Sequence, residues 1–155
     1  MALEKVINYF KKYNLDSKIL ILEESTATIE LAAKALNIEG QRVAKSLTFK
    51  TDDKIIMIIT AGDTKIDNAK YRHFFNCKAK MLTVDEVKEY IGHEVGGVCP
   101  FAINDGVEVY LDESLKRFET VFPACGSSNS AIELTIDELY QYSNALLWID
   151  VCKLI

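Results

Sequence analysis

The run Ile55-Ile56-Met57-Ile58-Ile59 is apolar at five consecutive positions. A strand with one face in water alternates between apolar and polar residues, whereas one that does not alternate must be covered on both faces. These five residues therefore predict the middle of a sheet. Just upstream, residues 43–50 keep a period of two, and the polar Thr51-Asp52-Asp53 between the segments has the composition of a hairpin turn. Such a pair needs further strands at its edges and helices over its faces.

The rest of the chain offers both. Leu3, Val6, Ile7 and Phe10 recur at helical spacing with Glu4, Lys5, Lys11 and Lys12 between or beyond them, which predicts an amphipathic helix and not a signal peptide. Residues 18–22 predict a strand. The polar Glu23-Glu24-Ser25-Thr26 leads into a helix over 29–36, with Asn37 and Gly40 marking its exit. A helix is expected over 67–75, and Thr83-Val84-Asp85-Glu86 has capping-box spacing before another that ends near Ile91 and Gly92. Short strands are expected over 107–111, 119–123 and 131–134. Thr135-Ile136-Asp137-Glu138 repeats the capping signal for a last helix, and 145–151 predicts a closing strand with Trp148 packed. The order of elements predicts one α+β domain, compact, with a mixed, curved sheet.

A chain of 155 residues can bury a core without disulfide staples, and 49% hydrophobic with 26% charged residues is the composition of an ordered globular domain. No apolar run reaches the roughly 18 residues a membrane span needs, so no membrane partner is expected. Cys77, Cys99, Cys125 and Cys152 lie far apart with no C-x-x-C pair, which suggests neither a zinc site nor a redox motif and suits a reducing cytoplasm. With only His73 and His93 as imidazoles, no metal and no other cofactor is expected. The net charge of -5 hides a segregation: residues 1–41 carry -1, residues 42–80 carry +5 and residues 81–155 carry -9. A phosphate-bearing ligand is best received by the middle segment, with Arg42, Lys45, Lys50, Lys54, Lys65, Lys70, Arg72, Lys78 and Lys80.

Lys45 stands out within that segment because strand parity puts it on one face with Val43, Leu47 and Phe49. An ammonium held among apolar groups loses hydration, which lowers its pKa, so it needs a polar partner or a functional reason to be there. The plainer alternative is a stem packed on the sheet with its head in water or on a carboxylate. The loop Gly92-His93-Glu94-Val95-Gly96-Gly97-Val98-Cys99-Pro100-Phe101 is the second candidate element. Its paired glycines let a ligand approach the main chain closely, and consecutive amides can aim donors at a carbonyl that becomes negative during attack. Gly126-Ser127-Ser128-Asn129-Ser130 is a third polar loop able to add donors.

Together these stretches carry a resemblance. Leu31-Ala32-Ala33 before Leu36, Val43-Ala44-Lys45-Ser46-Leu47, Ala61-Gly62-Asp63 with Asp67, Gly92-His93 leading into Gly96-Gly97-Val98-Cys99-Pro100-Phe101, Asp112-Glu113-Ser114-Leu115, and Cys125-Gly126 before Ile132-Glu133-Leu134 occur in an order that resembles the YbaK/EbsC family. These are aminoacyl-tRNA deacylases related to the editing domain inserted in bacterial prolyl-tRNA synthetases, and the resemblance runs over residues 25–140. It implies a single domain over 1–155 with that family's barrel-like mixed sheet and surrounding helices. It also implies an ester hydrolase of translation fidelity that removes a wrong amino acid from the 3′ terminal adenosine of a tRNA. Aminoacyl-tRNA is the implied partner, with prolyl-tRNA synthetase in trans as a candidate second one, and no DNA. The family's catalytic lysine falls on Lys45 and its G-x-x-x-P loop on Gly96 through Pro100. The implied substrate-binding positions are Ser46, Gly62, Asp63, Gly96, Gly97, Val98, Pro100, Phe101, Gly126, Ser127 and Ser128.

In such enzymes water, or a group on the substrate, attacks the ester while the pocket positions it. This sequence agrees in having no G-x-S-x-G elbow and no metal motif. Cys99 is expected to be inert and His93 to stabilise the loop rather than act as a base. Members resembling the cysteinyl-specific enzyme carry a basic G-K-R-G where this chain has Gly126-Ser127-Ser128-Asn129, so the amino acid removed stays open within the alanine, serine, threonine and cysteine class. A binding module that holds aminoacylated tRNA without hydrolysis, and a Schiff-base enzyme using Lys45, are the other readings.

Overall fold

The computed structural model describes residues 2–155. Its centre is the expected hairpin: β2 (Val43–Lys50) pairs antiparallel with β3 (Ile55–Ala61), and Thr51 donates its N–H to the Lys54 carbonyl at 2.9 Å to close the turn. Around it stand β1 (Ile19–Ile21), β4 (Thr64–Ile66), β5 (Val107–Asp112), β6 (Thr120–Pro123), β7 (Ser130–Ile132), β8 (Leu134–Thr135), β9 (Leu147–Ile149) and β10 (Cys152–Leu154). The main sheet runs β8-β6-β2-β3-β5-β9. β5 is parallel to β3, β6 to β2 and β9 to β5, while β8 is antiparallel to β6. Two ribbons, β1 with β7 and β4 with β10, complete a curled half-barrel.

The run without alternation behaves as its chemistry demands. Met57 and Ile59 enter the larger core, with Val6 and Phe10 of α1 (Ala2–Lys11) and Leu139 of α5 (Ile136–Tyr142). Ile56 and Ile58 turn to a second cluster around Tyr71 of α3 (Asn68–Phe75). Each buried side chain of this size contributes roughly 1.5–3 kcal/mol, which explains why β3 must be central.

Local signals set the helix starts. Thr28 caps α2 (Ile29–Leu36) by accepting from the Leu31 N–H, and Asp67 caps α3 by accepting from Ala69 and Lys70. Thr83 with Glu86, and Thr135 with Glu138, form complete capping boxes. The first of these opens α4 (Val84–Glu86), which widens into a π turn over Val87–Ile91 because the Gly92 N–H bonds five residues back to Val87.

Two expectations need correction. Residues 145–151 are not one strand: β9 ends at Ile149, and β10 begins at Cys152 to pair with β4, a strand the sequence did not suggest. The break is fixed from afar, since the Val151 N–H donates to Asp112 Oδ1 at 3.0 Å and its carbonyl accepts from the Asp67 N–H at 2.9 Å. Likewise 131–134 splits at Glu133 into β7 and β8, which serve different partners. No helix among the described residues is long and apolar enough to cross a membrane.

Candidate functional site

The free edge of β2 creates the site. Its first residues pair with β6 through Val43 and Ala44, and its last are covered by the segment carrying Lys80 to Leu82, whose Leu82 N–H donates to the Thr48 carbonyl at 3.1 Å. Between these two supports lies a cavity of about 450 Å³. Its walls are Ile29, Ala32 and Leu36 of α2, Leu82, Val84 and Val87 around α4, the loop residues Val95, Gly96 and Val98, and Phe122, Ala124, Ser130 and Ala131 beyond β6. The mouth is apolar, with Met81, Val84 and Val95 each 59% exposed. Lys45 and Ser46 of β2 line it together with Gly96 and Val98.

Lys45 occupies the face that parity assigns it, with Leu47 and Phe49, and its Nζ donates to the Thr64 carbonyl. Burial holds its pKa below the ordinary lysine value, while Cys152 and Asp63 nearby push it back up. Asp63 itself is engaged elsewhere: Arg117 reaches both its carboxylate oxygens, at 2.6 and 3.0 Å, and that pairing holds its pKa below the ordinary range. Gly62 allows the β3–β4 turn to sit against the Gly40 carbonyl, 2.0 Å from where a Cβ would stand. Ser46 lies on the opposite face with Ala44 and Thr48, and its buried Oγ has no hydrogen-bond partner. Thr26 Oγ1, also in the lining, has none either.

The glycine loop is held shut from behind. His93, 1% exposed, shares a 2.9 Å hydrogen bond between Nε2 and the Phe101 carbonyl, closing the loop across its ends. Burial pushes the His93 pKa down, and pushes the fully buried Cys99 thiol up to about 12, so the thiol is not poised as a nucleophile, and neither residue lines the cavity. Gly96 has φ +99, a left-handed conformation glycine adopts freely, and this turns the loop backbone toward the cavity. Gly97 backs onto the Gly126 and Ser127 main chain, and Ser128 lies beyond Gly96 with its carbonyl accepting from the Thr26 N–H.

Of the residues expected from sequence, the structure thus brings Lys45, Ser46, Gly96 and Val98 to one cavity. Gly62 and Asp63 stand behind Lys45. Gly97, Gly126, Ser127 and Ser128 form the packed support of the glycine loop and are not in the lining. Phe101 is in the main core, its ring 4.7 Å from that of Phe10, and Pro100 borders a separate hollow with Tyr9 and Asn144. The lining residues that the sequence did not assign to the site are mostly apolar: Ile29, Ala32 and Leu36 look like any core-facing helix stripe. Among the described residues no group of three or more His, Cys, Asp or Glu side chains comes together to hold a metal ion.

Comparison with known proteins bears on this cavity. Residues 23–142 match the family model described as an aminoacyl-tRNA editing domain. The chain is 53% identical over 154 residues to the uncharacterised protein YwhH of Bacillus subtilis, covering 99% of this chain and 98% of that one. It is 28% identical over 102 residues to a proline–tRNA ligase of Bacillus cereus, a stretch covering 65% of this chain but 18% of the ligase. Among solved structures it is similar to a candidate trans-editing enzyme for prolyl tRNA synthetase, with a TM-score of 0.88, 26% identity, and coverage of 98% of this chain and 97% of that one.

Proposed function

Because the chain belongs to the aminoacyl-tRNA editing domain family, we propose that residues 1–155 act as one trans-editing domain that hydrolyses the ester of a mischarged aminoacyl-tRNA carrying a small amino acid. The observation that carries this reading is the meeting of Lys45 and Gly96 in one cavity of about 450 Å³. That volume lies in the range of small-ligand sites and suits an aminoacyl group with part of the terminal ribose. Apolar walls with Ala32, Ala44, Ala124 and Ala131 favour a compact side chain of the alanine, serine, threonine or cysteine class. Each surplus methylene is opposed by about 1–3 kcal/mol.

Water adds to the ester carbonyl carbon and the bond to the 3′ oxygen breaks; one proton of the water ends on that oxygen, and the other is released to solvent as the amino acid leaves as a carboxylate. The buried, high-pKa Cys99 supports a route without a covalent protein intermediate. Lys45 exchanges the Thr64 carbonyl for a phosphate or ribose oxygen of the terminal adenosine, and its weakened hydration makes that exchange cheap. The amides of Gly96 and Val98, the two residues of the loop that line the cavity, face the carbonyl as it gains charge; one such donor typically contributes about 10²-fold or more. Prolyl-tRNA synthetase is the proposed source of the mischarged tRNA, in the cytoplasm.

The test is a deacylation panel over tRNAs charged with alanine, serine, threonine, cysteine and proline. Release of at least one small amino acid, with prolyl-tRNA spared, is expected, and Lys45→Ala is expected to lower it at least a hundredfold without loss of fold. Binding without turnover across the panel overturns the hydrolase reading in favour of a binding module.

A further inference from the structure

β2 has a one-residue vacancy in its hydrogen bonding. The Thr51 N–H to Lys54 carbonyl bond sets the ladder with β3, so Lys45, Leu47 and Phe49 spend their backbone groups on Thr60, Ile58 and Ile56. The even residues turn theirs to the other edge. There Ala44 meets β6, the Thr48 carbonyl accepts from Leu82, and the Lys50 N–H donates to the Lys80 carbonyl. Ser46, between them, has no strand partner on that edge, because the ladder of β2 with β6 ends at the Ala44–Pro123 pair. The Ser46 N–H and carbonyl, left without a strand partner, belong to a residue that lines the cavity and are free to take one from a ligand.

The vacancy selects its occupant by length. From Ala44 to Thr48 the edge spans about 13 Å, and both ends are blocked by chain already paired, so a peptide cannot run through. What fits is a single residue with one donor nitrogen and one acceptor carbonyl on the same side. An α-amino ester in extended conformation is such a unit. We infer that the aminoacyl group docks on Ser46 as a one-residue strand, its ammonium donating to the Ser46 carbonyl and its ester carbonyl accepting from the Ser46 N–H.

This deepens, and rests on, the editing reading above. It makes the Ser46 N–H a donor to the oxygen that turns anionic when water adds. It also makes recognition stereospecific. Opposed residues of an antiparallel pair put their side chains on the same face, so an L side chain falls on the face of Ala44, Ser46 and Thr48. A D side chain is sent to the Lys45 and Leu47 face.

The experiment titrates ¹⁵N-labelled full chain with 3′-deoxy-3′-(L-alanylamino)adenosine, whose amide link resists hydrolysis, and with its D-alanyl counterpart. Expected is a downfield shift and slowed solvent exchange of the Ser46 amide with the L compound alone. In parallel, Ser46→Pro removes the N–H at a position where no strand partner needs it. Its kcat on the best substrate of the panel is expected to fall 10²–10³-fold with little change in KM, and to fall at least thirtyfold further than that of Ser46→Ala, which keeps the N–H. A silent Ser46 amide in the presence of bound L compound overturns the inference, as does a folded Ser46→Pro with kcat within threefold of the parent. If Ser46→Pro does not fold, the amide resonance decides alone. A chain that turns over no tRNA yet shifts Ser46 keeps the docking and loses the hydrolysis; one that deacylates with Ser46 silent does the reverse.

Discussion

Gly97 and Ser127 meet backbone to backbone: a Cβ placed on Gly97 would stand 2.6 Å from the Ser127 nitrogen and 2.7 Å from the Gly126 carbonyl carbon. No side chain fits there, and neither neighbour is a flexible group that can swing away. Gly97→Ala is therefore expected to push the two loops apart at a cost of about 1–3 kcal/mol, measurable by urea unfolding. Because Gly96 is carried on the same loop, deacylation should fall in the variant even at temperatures where it is folded. An alanine variant with parental stability and turnover would show that this contact does not position the loop.

His93 makes stability depend on pH in one window. Its folded pKa is held below the ordinary 6.5 by burial, so in acid the unfolded chain takes up a proton that the folded chain resists. Stability is then flat above about pH 7.5 and falls as the pH drops through 6.5 toward the folded value. The slope is at most about 1.4 kcal/mol per pH unit for one proton. Urea unfolding at pH 7.5, 6.5 and 5.5 should show this decline, and His93→Asn should flatten it. An equal decline in the variant would assign it to other groups.

Legibility in the sequence followed the range of the interactions. The bounds 43–50 for β2 and 29–36 for α2 are those observed, because alternation, capping and an αL exit at Asn37 are local. Lys45 and the Gly96-Gly97 pair announced themselves as a charge among apolar residues and as a rare composition. Nothing local marks the break at Asp150 and Val151, where the partners of Val151, Asp112 and Asp67, lie 39 and 84 residues away in the chain. The gap beside Ser46 is hidden in the same way, since it depends on where the ladder with the distant β6 ends, at Ala44 and Pro123. Asp63 looked like a neighbour of Lys45 and is one, yet its carboxylate belongs to Arg117, 54 residues on.

Gly62 couples the lysine to α2. A Cβ here would lie 2.0 Å from the Gly40 carbonyl oxygen and 3.1 Å from Ile29 Cγ2, and Ile29 is in the cavity wall. Gly62→Ala must displace either the entry to β2 or the turn bearing Asp63 and Thr64, the acceptor of Lys45. Expected are a loss of about 1–3 kcal/mol in unfolding free energy and a larger fall in kcat than in the stability of the folded fraction. Calorimetry with single-turnover deacylation separates the two; unchanged single-turnover rates in the folded variant would uncouple the turn from Lys45.

Salt should weaken tRNA binding with a bounded slope. Of the nine cations between residues 42 and 80, four are tied to carboxylates: Arg42 to Glu133 at 3.2 Å, Lys50 to Glu86 at 3.7 Å, Lys54 to Glu108 at 3.5 Å and Lys70 to Asp150 at 3.0 Å. Among the described residues Lys45, Lys65, Arg72, Lys78 and Lys80 make no ion pair within 4.0 Å. Each phosphate neutralised contributes about 0.7–0.9 to the slope of log affinity against log salt, so five give a magnitude of roughly 4.5 at most. Filter binding with uncharged tRNA between 50 and 200 mM salt (about a fourfold span) should therefore give a slope between about -1 and -4.5. A steeper slope would bring in cations from outside this segment. Affinity that rises with salt would mean that the acidic residues of 81–155, net -9, face the tRNA instead.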